Sequence, residues 1–214
     1  MEKYFAILTQ NTLFAGISHA DLGSLMHCLG ARVEVFSKGA PVFMEGDAAD
    51  CIGFVLEGVV QIVWDDLYGN RSLLTQAEQG DLFGEAYAAA NVDTMPLSGY
   101  AAQESKILWL ECRRMLTVCT NACGFHSMLV KNLLQVVAQK NLQLSQKVQF
   151  MSQKTTKEKL MAYLLAQAKQ RGALEFTIPL DRQALADFLG VERSAMSTEL
   201  SKLRKAGVLD SKGA

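Results

Sequence analysis

Apolar and polar residues change their spacing three times along this 214-residue chain. Residues 18–29 read as a short helix. Ser18 and Asp21 stand at capping-box spacing, and Leu22, Leu25, Met26 and Leu29 follow at helical intervals. From Ala31 to about Leu110 the period shortens to strand-like runs: RVEVF, PVFME, CIGFVLEG, VVQIVW, RSLLTQ, SGYAAQ and KILWLE. Gly39, Gly46, Gly58, Gly69, Gly80 and Gly84 punctuate them at roughly 11-residue intervals. Short strands between turns at that spacing predict an antiparallel sandwich or barrel. DDLYGNR (65–71) reads as a hairpin tip, because Gly69 and Asn70 tolerate positive φ.

CRRMLTVCTNA (112–122) returns to helical texture, and a long helix is predicted from near Gly124. Within it Val130, Leu134, Val137, Asn141, Leu144, Val148 and Met151 alternate by four and three residues. This narrow heptad seam, flanked by Lys131, Lys140 and Lys147, suits a two-stranded coiled coil. The amide of Asn141 costs stability there but fixes register and strand number, so the seam predicts a parallel homodimer. A further helix begins at Thr155 or Thr156, presents Leu160, Leu164, Leu165 and Ala168, and stops at Gly172. LEFTIPL (174–180) has strand-like alternation.

The last segment, PLDRQALADFLGVERSAMSTELSKLRKAGVLD (179–210), predicts two helices joined by a tight turn. Asp181 caps the first, with Ala184, Leu185, Phe188 and Leu189 inward; Gly190 breaks it. The second runs from about Arg193 to Ala206 over Met196, Leu200 and Leu203, and Gly207 stops it. This is a helix-turn-helix whose second helix offers Arg193, Ser194, Ser197 and Thr198 to base edges. Arg193 has the fork that pairs with guanine, whereas the hydroxyls discriminate weakly. Arg182, Gln183, Lys202, Arg204 and Lys205 are placed for phosphates. GVLDSKGA would open a β-hairpin wing that is either truncated or a stub.

Charge sharpens this division. Residues 1–122 carry 7 Lys+Arg against 15 Asp+Glu; residues 123–154 carry four lysines and no acid; residues 155–214 carry 10 against 7. Only the second half is suited to a polyanion. No run of 18 apolar residues predicts a membrane span, and MEKYFAILTQ does not read as a secretory signal, so the expected location is the cytoplasm. Five cysteines without a CxxC fit reduced thiols. The three histidines (His19, His27 and His126) lie outside the β segment, which argues against a cupin-like metalloenzyme. No enzymatic activity is expected.

The glycine ladder, QGDLFGE (79–85), the long helix and DRQALADFLGVERSAMSTELSKLRKAGVL together resemble the Crp/Fnr family of bacterial transcription regulators, over nearly the whole chain. The resemblance implies an α+β chain. It would have an N-terminal antiparallel β-roll of the cyclic-nucleotide-binding, jelly-roll type (1–122), a dimerisation helix (123–153) and a C-terminal winged helix-turn-helix (154–214). It also implies a homodimer on a palindromic DNA operator, with RNA polymerase as a partner if the protein activates. By the same resemblance the effector pocket would be lined by Phe83, Gly84, Glu85, Ala86, Tyr87, Pro96, Leu97 and Ser98. Leu144 and Ser145 would close it across the dimer.

Three departures from the family pattern shape the functional reading. Members that bind cyclic AMP carry Arg-Ser or Arg-Thr where this chain reads Met95-Pro96-Leu97-Ser98. A buried phosphate without its cation costs several kcal/mol, so cyclic AMP is disfavoured and an unidentified small molecule is the expected effector. Arg71 could substitute only from beyond the hairpin tip. The closely spaced N-terminal cysteines of oxygen-sensing members are missing, so no iron–sulfur cluster is expected. Cys119, Cys123 and His126, at i, i+4 and i+7, leave open a haem, metal or redox-sensing role, against structural packing. Finally, Glu192-Arg193 replaces Ser-Arg, giving a poorer helix cap and an acceptor for a cytosine amine. A cyclic-nucleotide-binding regulatory subunit of a kinase or channel is the remaining alternative; it would bind the nucleotide tightly and DNA not at all.

Overall fold

In the computed structural model, residues 2–66, 68, 71–117, 124–178 and 180–211 are described. The chain divides into two compact units, 1–138 and 139–214.

Among its described residues the first unit is built on eight strands: β1 (Arg32–Phe36), β2 (Pro41–Phe43), β3 (Cys51–Glu57), β4 (Val59–Asp65), β5 (Arg71–Glu78), β6 (Leu82–Phe83), β7 (Ser98–Ala101) and β8 (Ser105–Glu111). They form two four-stranded antiparallel sheets, ordered β1-β8-β3-β6 and β2-β7-β4-β5: the run spacing predicts an antiparallel sandwich or barrel, and the jelly-roll type is what the family resemblance implies. The seven strand-like runs each correspond to a strand; β6, only two residues long, carries no pattern to be read. Asp65 and Arg71 pair at the end of the β4–β5 hairpin, while Gly69 and Asn70 of its anticipated tip lie outside the described residues.

The run CIGFVLE is apolar without alternation because β3 is covered on both faces. Ile52, Phe54 and Leu56, with Leu108 and Leu110 of β8, pack against helices. These are α1 (Phe5–Leu8), α2 (His19–Cys28), α3 (Glu85–Ala89), α4 (Cys112–Leu116) and the first half of α5 (Gly124–Met151). Val55, Ile107 and Trp109 point instead between the sheets. Ser18 caps α2 by accepting from the Asp21 amide at 3.2 Å, and its hydroxyl donates to Asp21 Oδ2 at 2.6 Å. The apolar cluster under α5 includes Leu129, Leu133 and Val136. Among them Asn132 is buried, and its Nδ2 donates to the carbonyls of Leu13 (3.0 Å) and Ala15 (2.8 Å), tying α5 to the N-terminal segment.

The second unit holds α6 (Thr156–Arg171), α7 (Arg182–Leu189) and α8 (Arg193–Lys205), around Phe150, Leu160, Tyr163, Leu185, Ala186, Leu189, Met196 and Leu203. Two sequence expectations need correction. On α6, Tyr163 is buried and Leu165 is exposed, because the ring of Tyr163 packs edge-on against Phe150 and Phe188. The described residues of 174–180 form no strand: alternation makes a strand only beside a partner, and they pair with none.

Candidate functional site

The best-defined site is the pair α7–α8. Asp181 Oδ1 accepts from the Ala184 amide at 2.8 Å and starts α7. Gly190, at φ 60° and ψ 51°, turns the chain in the left-handed region that only glycine enters cheaply. Ala186 is buried where Ala184 was anticipated, and Leu200 is half-buried beside the fully enclosed Met196 and Leu203. This inward anchoring leaves Arg193, Ser194, Thr198 and Lys202 exposed on α8 and Ser197 half-buried. The Thr198 hydroxyl donates to the Ser194 carbonyl at 2.9 Å, leaving its lone pairs as acceptors. Glu192, at the N-cap position of α8, makes no side-chain capping bond.

Of the anticipated phosphate contacts, Lys202, Arg204 and Gln183 have local partners. Lys202 lies 2.6 Å from Glu199 one turn back, and Arg204 lies 3.3 Å from Asp210. The Gln183 amide donates to Asp187 at 2.8 Å. These exposed pairs are worth little and exchange readily for a polyanion. Lys205 is exposed at the end of α8.

The second candidate site surrounds Gly84. Gly84, at φ 76°, opens α3 (Glu85–Ala89), a short helix that sequence reasoning missed because five residues are too few to show a period. Glu85 is buried, whereas Tyr87 is half-buried against the inter-sheet core. Met95 is buried, Leu97 half-buried against the same core, and Pro96 exposed. The Ser98 hydroxyl accepts from the Glu45 amide at 3.0 Å. Two rings fill the space behind this loop, Phe43 and Phe83, stacked 5.8 Å apart and 18° from parallel, with Trp109 edge-on to Phe83 at 5.5 Å. Each stacked ring lies over a glycine in its cross-strand register, Phe83 over Gly53 and Phe43 over Gly99, and a Cβ at either glycine would run into the ring. Sequence reasoning missed this arrangement; the signal was an isolated glycine inside each of two strand-like runs.

Arg71 is engaged elsewhere. Its guanidinium grips Asp65 through Nε and Nη2 (2.9 and 3.1 Å), donates from Nη2 to the Tyr100 hydroxyl at 2.9 Å, and lies 4.2 Å from the Tyr100 ring centre. The bond to Asp65 raises the arginine's pKa and lowers that of the carboxylate. Leu144 and Ser145 belong to the second unit, both exposed on α5. Cys119 and Cys123 lie outside the described residues; His126 is buried and stacks on Phe125.

The anticipated seam residues of α5 lie mostly on its uncovered side. Val130, Leu134, Leu144, Val148 and Met151 are exposed, as is Asn141, and Val137 is half-buried against the β-roll core. At Gly190 an added Cβ would meet Met151, so this last seam residue also touches the α7–α8 turn.

A family model described as a cyclic nucleotide-binding domain matches residues 33–121, and one for the Crp-like helix-turn-helix domain matches residues 158–214. The chain belongs to the Crp/Fnr family. It is a Crp/Fnr-type transcription regulator with a cyclic-nucleotide-binding-type domain and a helix-turn-helix. The nitrogen fixation regulation protein FixK of Bradyrhizobium diazoefficiens is 28% identical over 207 residues, covering 91% of this chain and 80% of that one. Among solved structures, the c-di-GMP-responsive regulator CLP of Xanthomonas campestris shares the fold at 19% identity. The match has a TM-score of 0.57 and covers 90% of this chain and 96% of that one. The Thermus thermophilus catabolite activator protein also shares it at 19% identity, with a TM-score of 0.52 and coverage of 95% and 91%. No helix among the described residues is long and apolar enough to cross a membrane.

Proposed function

We propose that this Crp/Fnr regulator works as a parallel homodimer on a palindromic operator, gated by a small molecule other than cyclic AMP. The observation that carries the DNA-reading part is the division of α8, with Met196 and Leu203 enclosed while Arg193, Ser194 and Thr198 stand exposed at its N-terminal end. If each α8 enters one major groove, half-sites lie about 34 Å apart. An outward apolar stripe on α5, interrupted by Asn141, supports pairing of two copies in register.

The apolar character of the Gly84 region supports a ligand without a phosphate. Met95 and Leu97 occupy the family's cation position, and Arg71 is committed to Asp65 and Tyr100. Contact with RNA polymerase follows if the regulator activates.

A mobility-shift series tests the DNA-reading part. Arg193→Ala should relax base choice at one position by about 1–3 kcal/mol, whereas Lys205→Ala should weaken every sequence alike and flatten the salt dependence. Equal loss of all sequences on Arg193→Ala would remove that residue from base reading. Thermal unfolding with a metabolite panel tests the sensor: the effector at 100 times its dissociation constant should add about 2.7 kcal/mol, and cyclic AMP should add nothing. Stabilisation by cyclic AMP would overturn the ligand assignment.

A further inference from the structure

The second unit contains an open cleft of about 540 Å³, lined by Tyr163, Gln167, Gln170, Arg171, Leu180 and Phe188. Its size is that of a small-molecule site. The rings of Tyr163 and Phe188 meet at 5.6 Å and 61°, and Leu180 continues the apolar surface. Tyr163, Gln167 and Arg171 follow one another at four-residue spacing, so their polar groups share one side of α6.

Every polar side chain lining the cleft can donate a hydrogen bond, and among the described residues that line it none is acidic. Arg171 leans over Phe176 at 5.9 Å, and no described carboxylate pairs with it. The Tyr163 hydroxyl, on a side chain otherwise enclosed, bonds to no described residue. Burial raises its pKa, with Arg171 partly offsetting the effect, so the phenol is a neutral donor at neutral pH. Lys147 places a second cation 5.3 Å from the centre of the Phe188 ring.

We infer that this cleft is a ligand site of its own, for a flat aromatic carboxylic acid. The body of such a ligand lies on Phe188 and Leu180, which are only partly buried. Its carboxylate meets the guanidinium fork of Arg171, which matches a planar carboxylate with two parallel bonds. Tyr163 and Gln167 supply the further donors. The site is built entirely within the second unit, and Phe188 stands two residues before Gly190, so a ligand there stiffens the helix that leads into the DNA-reading turn.

The test is calorimetric titration of the full chain, without DNA, using 2-naphthoate as probe and the uncharged 2-naphthamide as control. The expected result is naphthoate binding that weakens about tenfold or more in Arg171→Gln, the loss of one charged hydrogen bond, and severalfold in Tyr163→Phe, which keeps the ring. Naphthamide should bind at least about tenfold more weakly than naphthoate. No heat at millimolar naphthoate, equal affinity in Arg171→Gln, or equal affinity for the amide would each overturn the assignment. Because Arg171 is exposed and Tyr163→Phe preserves the packed ring, unchanged melting of both variants identifies any loss as a binding effect.

Discussion

Single residues decide how the space between the two sheets is filled. Gly53 and Gly99 lie under Phe83 and Phe43, and no other residue leaves room for a ring on a neighbouring strand. Gly53→Ala should therefore cost about 1–3 kcal/mol in urea unfolding, the usual penalty for overpacking. It should also alter Trp109 fluorescence, because Phe83 touches that indole edge-on. Unchanged stability and emission would mean that the ring has another place to go. Cys112 makes a second residue-level case. Burial pushes its thiol up to about 11 from an ordinary 9.0. Between those values the unfolded chain loses this proton and the folded chain keeps it, so stability falls as pH rises from about 9 to about 11. Cys112→Val should make that decline shallower, as read by denaturant unfolding across this range. The capping residues Ser18 and Asp181 were legible in the sequence because their chemistry is local. The glycine–phenylalanine pairs were not, since Gly53 meets Phe83 only through a register set 30 residues away.

At the level of elements, the helices of the second unit differ in how well they begin. Thr155 and Glu158 form a complete capping box at α6, with bonds of 3.2 and 3.0 Å in the two directions. Glu192 gives α8 no such bond. Glu192→Ser should stabilise the second unit by about 0.5–1 kcal/mol in thermal unfolding, because a short hydroxyl can accept from the exposed amides. A variant no more stable than the parent would show that those amides are already satisfied. Strands of seven or eight residues announced themselves through their apolar runs, whereas β6 and α3 are shorter than the patterns that identify a strand or helix. LEFTIPL misled for the opposite reason: its alternation is genuine, but a strand needs a neighbour to complete its ladder.

Across the whole molecule, acidic residues dominate the first half and basic residues the second, matching the division between a cyclic-nucleotide-binding-type domain and a helix-turn-helix domain. The proposed dimer rests on the outward stripe of α5. Leu134 is 70% exposed in the single chain, so Leu134→Glu should leave the fold intact while driving the protein to monomer, as read by light scattering after size exclusion. A variant that remains dimeric would place the interface elsewhere. The same helix uses Leu129, Asn132, Leu133 and Val136 to hold its own β-roll, and of the stripe residues only Val137 belongs to that packing as well. In the proposed dimer, stability and partner choice are thus written on letters of one helix that overlap only at Val137. A duplicated gene could drift along Val130, Leu134, Asn141, Leu144 and Val148 until its product no longer pairs with the parent, without passing through an unfolded intermediate sequence.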